Sequence, residues 1–241
     1  MSELFNTILY QPLFNGLVFL YKYVAFEDLG IAIILLTVVI RTLLYPFFYK
    51  SFKNQTLMQR IQPHIKKIQH DHKDNREKQA QALMALYKEH KVNPFSGFVL
   101  ILLQLPILIT LYKLFLGGFT AEAMSNLYDF IAAPQEIYHS FLGLIDLQTR
   151  SILIVSLAAI AQYFQGRLAL PKTAGDPQDP AAKVARSMVF VGPVLTVVLL
   201  FSLPSAVGLY WLVTSLFSIG QQLIINKQLN GTNQITSPKT P

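Results

Sequence analysis

The sequence predicts an all-α polytopic membrane protein: a bundle of five transmembrane helices with a cytoplasmic helical hairpin and an N-terminal interfacial amphipathic helix. Of its 241 residues, 52% are hydrophobic and only 14% are charged, whereas a soluble domain has roughly 25% charged residues. Five apolar runs each approach the roughly 20 residues that a transmembrane helix needs. The basic residues are concentrated in alternate connections between these runs, as in multi-pass membrane proteins.

The first element, residues 1–27, is predicted to be an amphipathic helix that lies in the outer interface of the membrane. It is rich in aromatic residues, and Pro12, Asn15 and Lys22 interrupt its apolar character. The start of the chain, Met1-Ser2-Glu3, lacks the basic region of a signal peptide. A sixth span at the N-terminus is the alternative, and it would reverse the side of the membrane on which the chain begins.

Five apolar runs follow this segment, and each is predicted to be a transmembrane helix. Little more than Pro204 separates the fourth run from the fifth, so we interpret this proline as the turn of a tight hairpin rather than a point within one very long helix. The predicted spans are 28–48, 95–116, 151–170, 187–203 and 205–225.

The connections between the spans differ in charge, and this difference orients the bundle. Segment 49–94 contains ten basic and four acidic residues, whereas segment 117–150 contains one basic and four acidic residues. The loop 171–186 is basic again, and the short tail 226–241 carries two lysines. The positive-inside rule therefore predicts an extracytoplasmic N-terminus and a cytoplasmic C-terminus in the plasma (inner) membrane.

The cytoplasmic segment 49–94 is predicted to form a helical hairpin. Apolar residues recur at helical spacing at Ile61, Ile65 and Ile68, and turn-forming residues follow at 71–75. A second stripe at similar spacing comes after the turn. Two antiparallel helices with facing apolar stripes explain both patterns.

The remaining faces of this hairpin are charged. They either keep the hairpin solvated on the cytoplasmic side or form a docking arm for a partner or for anionic lipid headgroups, and the sequence leaves both open. The basic residues selected as candidate contacts are Lys66, Lys67, Lys73, Arg76 and Lys78.

The motifs of common enzyme chemistries are missing from the chain. There is no cysteine, P-loop, GxGxxG or HExxH motif. His70 and His72 lie with Asp71 and Asp74 in the predicted hairpin turn, where an exposed turn explains them better than a metal site. The apolar runs, the first of which begins at Gly30, contain no His, Asp or Glu, which argues against proton-coupled transport. We therefore predict no catalytic residue, no metal and no cofactor.

Arg41 carries the strongest functional signal. It lies in the apolar run 30–48 of the first predicted span, and no carboxylate lies in any of the apolar runs to neutralise it. A guanidinium cannot lose its proton, and its insertion near mid-bilayer costs at least about 2.5–3.5 kcal/mol. We therefore expect Arg41 to face water, carbonyls or hydroxyls rather than lipid. Thr37 lies one turn away on the same face, and Gln162 and Gln165 share a face of the third span.

Short motifs in a fixed order around the five spans resemble those of one protein family. They are Gln11-Pro12-Leu13-Phe14, Thr37-Val38-Val39-Ile40-Arg41 with Tyr45-Pro46, Ile61-Gln62-Pro63, Leu86-Tyr87-Lys88, Val92-Asn93-Pro94, Gln104-Leu105-Pro106-Ile107, Pro204-Ser205-Ala206-Val207-Gly208-Leu209-Tyr210-Trp211 and Gln221-Gln222. Each motif is weak alone, but together they resemble the YidC/Oxa/Alb membrane protein insertases, in a short form without the large outer domain of many Gram-negative members.

The resemblance implies a hydrophilic groove that is open to cytoplasm and lipid and closed on the outer side. Arg41 would attract polar or acidic substrate segments there. The groove lining implied by the resemblance is Thr37, Gln162, Gln165, Tyr210 and Trp211. The implied partners are nascent membrane proteins and the lipid bilayer, with the ribosome, the signal recognition particle receptor and the Sec translocon as further candidates. The resemblance also implies a mobile hairpin and action as a monomer.

Two other classes of function stay open at the level of the sequence. A small-anion channel or carrier could use Arg41 as its selectivity group, and it would need a pore open to both sides of the membrane. A membrane scaffold without a translocation role would need neither a groove nor contact with nascent chains.

Overall fold

Helices dominate the protein, whose computed structural model describes residues 3–169 and 180–235. This confirms that the fold is mostly helical. Packing between the apolar helices, rather than a sheet, forms the interior. One two-stranded hairpin is the exception within the described residues.

Several of the described helices are apolar enough to lie in a membrane. Two of them, Phe98–Gly117 and Ser205–Leu229, are also long enough to cross it alone. A third span results if Leu29–Leu43 and Tyr45–Arg60 are taken together as one bent helix. Two further apolar helices are shorter, Ile152–Leu168 and Val189–Leu200. All five apolar segments lie where the sequence predicts spans, and the count of five crossings stays a prediction.

The N-terminal segment is helical almost throughout. It contains α1 (Glu3–Phe5), a π-helical turn (Asn6–Tyr10) and α2 (Gln11–Tyr23). The buried face of α2 carries Phe14, Asn15, Leu17, Val18 and Tyr21. Its opposite face exposes Phe19 and Tyr23. The helix therefore buries one face and exposes aromatic side chains on the other, while its amphipathic character and its position in the membrane interface stay predictions.

The predicted first span is broken in the structure. Helix α3 (Leu29–Leu43) ends at Leu44, and α4 (Tyr45–Arg60) continues at an angle of 70°. Pro46 lies in the first turn of α4. Proline has no N–H to donate to the preceding turn and clashes with its carbonyl, so a straight helix cannot pass this point. The predicted boundary at residue 48 is thus wrong for the straight helix.

Helix α4 belongs to the bundle at its start, while Leu57 and Met58 near its end pack against the core of the hairpin. Phe48 and Phe52 lie one turn apart on its buried face and pack with Ile225 near the C-terminal end of the chain. The hairpin is consequently shorter than the predicted segment 49–94. It consists of α5 (Gln62–Asp71) and α6 (Arg76–Glu89).

The two hairpin helices pack on each other through a small apolar core. Ile61 and Ile65 are buried together with Leu86 and Val92. Asn75 ends the turn, because its side chain accepts a hydrogen bond from the Lys78 amide at 3.0 Å and so caps α6. This small core is separate from the main core of the bundle.

A long connection follows α7 (Ser96–Gly117). It contains α8 (Ala121–Met124) and the antiparallel strands β1 (Ser140–Phe141) and β2 (Ile145–Asp146). We call α2 together with residues 119–150 the cap. The largest group of buried apolar side chains lies beneath it and joins α2, α3, α7 and the final helix, so this end of the bundle is filled by side chains.

The last three helices pack side by side, with the first of them between the other two. They are α9 (Ile152–Leu168), α10 (Pro180–Leu200) and α11 (Ser205–Ile235). Helix α9 contacts both of the others. Helix α10 begins before the predicted span 187–203 and ends at Leu200, three residues short of its predicted end, while α11 continues past the predicted span 205–225 to Ile235.

Parts of two predicted connections lie outside the described residues. In the predicted loop 171–186, this applies to residues 171–179, and the remainder belongs to α10. In the predicted tail 226–241, residues 226–235 continue α11 and residues 236–241 lie outside the description.

Side chains of α2 and of the start of α3 hold the cap together through hydrogen bonds to its backbone. Asn15 accepts from the Tyr128 amide at 2.7 Å and donates to the Asn126 carbonyl at 3.1 Å. Asp28 accepts from the Leu142 amide at 2.6 Å. These bonds join parts of the chain more than a hundred residues apart, so the cap is a single folded unit.

Tyr21 forms a further link of this kind. Its hydroxyl accepts from the Tyr138 amide at 2.9 Å and lies 3.5 Å from the Glu136 carbonyl, to which it donates. The Tyr21 side chain is 1% exposed. Burial raises the pKa of this hydroxyl above its usual value, which keeps the donor protonated.

Replacing Tyr21 with phenylalanine should destabilise the protein by about 1–2 kcal/mol, because the Tyr138 amide loses its partner. Thermal unfolding in detergent measures this loss as a fall in melting temperature of roughly 2–4 °C per kcal/mol. Tyr23→Phe is the matched control, since its hydroxyl lies 3.5 Å from the Ala132 amide on a side chain that is 51% exposed. Equal shifts in the two variants would contradict a specific role for Tyr21.

Candidate functional site

Arg41 lies in the last turn of α3 and is only 4% exposed. The face of its guanidinium covers the ring of Phe48, with Cζ 4.0 Å from the ring centroid. Nη2 donates to Oε1 of Gln104 at 3.3 Å. Nη1 is buried and has no hydrogen-bond partner among the described residues. No carboxylate in that part of the chain pairs with Arg41, so its positive charge is uncompensated there.

Gln104 connects Arg41 to Tyr210. Its Nε2 donates to the hydroxyl of Tyr210, which is 2% exposed. The direction of these two hydrogen bonds follows from the chemistry of arginine, which has only donors. The amide oxygen therefore faces Arg41, and the amide nitrogen faces the tyrosine oxygen. A neutral amide is thus the closest polar partner of the buried cation.

A cavity of about 220 Å³ lies beside Arg41, and we call it the inner cavity. This volume accommodates several water molecules. Polar side chains from three helices line it, namely Gln104 on α7, Gln162 and Gln165 on α9, and Thr214, Ser215 and Ser218 on α11. Phe48 and Phe52 of α4 form part of its apolar wall. The cavity therefore offers a hydrated surrounding to the charge of Arg41.

A second cavity of about 200 Å³ continues from the first, and we call it the mouth cavity. Both cavities share Phe52, Leu100, Gln162 and Gln165. Gln55 and Gln222 add further amides to the mouth cavity. The two volumes lie next to each other and share part of their walls, and together we call them the groove. It runs from Arg41 toward the end of the bundle opposite the cap.

Amide and hydroxyl groups also tie the helices together around the mouth cavity. Gln222 donates to the Thr56 hydroxyl at 2.7 Å, which connects α11 to α4. Ser215 donates to Oε1 of Gln162 at 3.1 Å, which connects α11 to α9. Gln59 donates to the Ala169 carbonyl. The walls of the groove thus carry amide and hydroxyl groups among apolar side chains, and Arg41 is the one charged residue among the described residues that line it.

The structure brings most of the predicted groove residues together. Arg41, Gln162, Gln165 and Trp211 line the inner cavity, and Tyr210 lies behind Gln104. Thr37 lines neither cavity: it is buried and donates to the Ile33 carbonyl one turn earlier in its own helix, at 2.6 Å. The roles of these residues in substrate binding stay predictions.

Sequence reasoning missed several residues of the groove. Gln104 was one polar residue in an otherwise apolar run, and nothing in its spacing related it to Arg41. For α11 a usable signal existed, because Trp211, Ser215, Ser218 and Gln222 recur at intervals of three and four and therefore share a helix face. A helical projection of the fifth span would have identified this polar stripe.

The predicted contact residues of the hairpin lie away from the groove. Lys67, Lys73, Arg76 and Lys78 are exposed, and Lys66 is half-buried. Neither cavity is lined by a residue of α5 or α6. The four exposed side chains are therefore available to a separate partner or surface, and that role stays a prediction.

Comparison with protein families relates this arrangement to known proteins. The sequence profile of the family described as 60Kd inner membrane protein matches residues 19–233. This range contains Arg41, Gln104 and all the residues that line the groove.

Individual relatives and one solved structure give the same relationship. The chain is 31% identical over 228 residues to the membrane protein insertase YidC of Pelobacter propionicus, covering 93% of this chain and 39% of the relative. It is 33% identical over 205 residues to the membrane protein insertase YidC of Francisella tularensis subsp. novicida, and this match covers 85% of this chain and 34% of the relative. A crystal structure of an active YidC insertase superposes with a TM-score of 0.60 and 27% identity, over 88% of this chain and 45% of that one. The chain thus spans less than half the length of each of these proteins.

Proposed function

Since this chain belongs to the 60Kd inner membrane protein family, we propose that it is a membrane protein insertase that inserts nascent membrane proteins and helps them to fold. The relatives described above carry that name. One observation carries the proposal: Arg41 is buried beside a polar cavity with an unpartnered donor and no carboxylate within the described residues. Such a charge is costly to maintain unless polar or acidic groups come to it from outside.

The family is one of inner membrane proteins, and we propose a five-span topology with the N-terminus outside and the C-terminus in the cytoplasm. The excess of basic residues in 49–94 over 117–150 supports this orientation. The cap then faces outward, while the α5–α6 hairpin and the mouth cavity face the cytoplasm. The proposed crossings are α3, α7, α9, α10 and α11, with α4 turned by 70° at the cytoplasmic end of α3.

Within this topology, the groove receives the hydrophilic part of a client from the cytoplasm. Water in the two cavities stabilises Arg41 and shortens the distance that a polar tail must travel through hydrocarbon. An acidic tail is attracted to Arg41, and the attraction is stronger in this low-dielectric surrounding than in bulk water. The filled interior beneath the cap closes the outer end.

The apolar part of the client leaves the groove sideways into lipid. About twenty apolar residues release tens of kcal/mol by area reasoning when they leave water for hydrocarbon. This transfer drives insertion, so no nucleotide hydrolysis is required. The protein lowers the barrier for the polar tail, and the client supplies the driving force.

The hairpin is proposed to be the contact point for cytoplasmic partners. Lys67, Lys73, Arg76 and Lys78 form an exposed basic surface suited to anionic headgroups or to the ribosome. The signal recognition particle receptor and the Sec translocon are further proposed partners.

The proposal is tested by photocrosslinking to ribosome-bound nascent chains of a single-span client. A probe at Trp211, on the wall of the inner cavity, should crosslink to the client's tail. A probe at Leu144, which is 84% exposed in the cap, is the matched control and should not. Absence of crosslinks at Trp211 would contradict an insertase function and favour a scaffold.

Accessibility labelling distinguishes the groove from the pore of an anion channel. A single cysteine at Ser215, on the wall of the inner cavity, should react with a membrane-impermeant maleimide added from the cytoplasmic side only. Reaction from both sides would indicate a continuous pore and would favour the channel.

A further inference from the structure

We propose that Gln104 is the resting partner of Arg41, a neutral placeholder that the carboxylate of a client displaces. The inference rests on the proposed insertase function and assigns a positioning role to a residue that the sequence did not single out. Between rounds of insertion, Gln104 would accept the hydrogen bond from Nη2 of Arg41 without cancelling the charge of the guanidinium.

The first step of the argument is the geometry around the guanidinium. Phe48 covers one face of Arg41 at 4.0 Å, and Gln104 accepts from Nη2 at 3.3 Å. Both Arg41 and Gln104 line the inner cavity. A group that enters the cavity therefore meets the cation and its amide partner together.

The second step concerns the strength of the bond. A contact of 3.3 Å between Nη2 and the amide oxygen is at the long end for a hydrogen bond. A carboxylate forms a shorter, charge-assisted bond to a guanidinium, roughly twice as strong as a neutral one. Exchange of the amide for a client's carboxylate is consequently favourable.

The third step is the fate of Gln104 after it is displaced. Its Nε2 is bonded to the Tyr210 hydroxyl. This bond holds the side chain on the wall of the cavity while the client occupies Arg41, and it returns the amide oxygen to Nη2 when the client leaves. Tyr210 is thereby a support for the placeholder rather than a residue that contacts the client.

The fourth step explains why an amide occupies this position. Glutamate has the same shape as glutamine but would form a permanent ion pair with Arg41. The pair would satisfy Nη2 and also cancel the charge that attracts a client. The uncharged amide satisfies the donor and leaves the charge available.

The test uses the purified chain in proteoliposomes with two clients that differ only in the tail, one acidic and one with Asn and Gln in place of the acids. Protease protection of the translocated tail gives the ratio of acidic to neutral insertion. Gln104→Glu should lower this ratio by about tenfold while neutral insertion persists. Gln104→Met, which keeps the shape without an acceptor, should retain a preference for the acidic client.

Gln165→Glu is the matched control, because it adds the same charge to the inner cavity at a residue not bonded to Arg41. Its effect on the ratio should be clearly smaller. An unchanged ratio in Gln104→Glu, or equal losses in Gln104→Glu and either Gln104→Met or Gln165→Glu, would overturn the proposal. If Gln104→Glu does not fold, Gln104→Asp tests the same charge with a shorter side chain. Failure of the unmodified chain to insert either client would instead reject the insertase function itself.

Discussion

Replacing Arg41 with alanine is expected to lower the insertion of a client with an acidic tail by about tenfold or more, while a client with an uncharged tail keeps most of its insertion. The reason is electrostatic. At an effective dielectric constant of 20, two unit charges 4 Å apart attract by about 4 kcal/mol. Loss of about a third of this attraction in the rate-determining step already gives a tenfold change. Protease protection of the translocated tail measures the effect.

Two further substitutions separate charge from geometry at the same position. Arg41→Lys should retain more activity than Arg41→Ala, because it keeps the positive charge, although it loses the planar stack on Phe48. Arg41→Glu should be the most impaired, since it repels the acidic tail. Arg150→Ala, a change of the same type at an exposed residue that lines neither cavity, is the matched control and should insert both clients normally.

The outcome that removes Arg41 from the mechanism is equal loss of the acidic and the neutral client. Equal loss would mean that Arg41 supports the fold, for instance through its contact with Phe48 at the bend. Thermal unfolding of the variants in detergent distinguishes this case, because a structural role predicts a lower melting temperature together with the general loss of insertion.

The sequence was sufficient to identify Arg41 because its signal is local. A guanidinium in an apolar run without a carboxylate is unusual wherever the fold places it. Thr37 shows the limit of the same reasoning: it shares a helix face with Arg41, but its hydroxyl satisfies the Ile33 carbonyl in its own helix. Gln104 shows the converse. It contacts Arg41 although the two residues are 63 positions apart in the sequence, so no local spacing could have predicted the contact.

The helices themselves were predictable from hydropathy, but the directions of their axes were not. Pro46 was visible in the sequence, yet the 70° turn after Leu44 depends also on where α4 can bury Phe48 and Phe52. The segment 49–60 was assigned to the hairpin, and Leu57 near its end does pack against the hairpin core, while its start belongs to the bundle. An amphipathic helix can pack on either of two neighbours, and its own sequence does not show where one neighbour replaces the other.

The cap was the least predictable part of the fold. Its order comes from side chains such as Asn15, Tyr21 and Asp28 that bond to backbone groups of residues 126–142. Polar residues of this kind are common in any surface segment. Only the folded arrangement of α2 against the connection after α7 gives each of them its partner.

A tight contact in this cap leads to the second large effect that we expect. Gly30, in the first turn of α3, faces Phe141 of β1 so closely that a methyl group there would lie 2.6 Å from Cβ of Phe141 and closer still to its ring. Gly30→Ala should therefore destabilise the protein by about 2 kcal/mol or more. The displaced atoms are near the backbone of Phe141, so β1 itself must move, and the Leu142–Asp28 bond at 2.6 Å moves with it.

Gly220→Ala is the matched control, because Gly220 lies within α11 and has nothing within 4 Å of an added methyl group. Alanine is favoured over glycine in a helix interior by about 1 kcal/mol. This variant should consequently melt at the same temperature as the parent or higher, while Gly30→Ala melts several degrees lower. The combination of Gly30→Ala with Phe141→Ala should cost less than the sum of the two single changes, because the second removes the clash made by the first. Additive costs would mean that the contact between Gly30 and Phe141 does not hold the cap on α3.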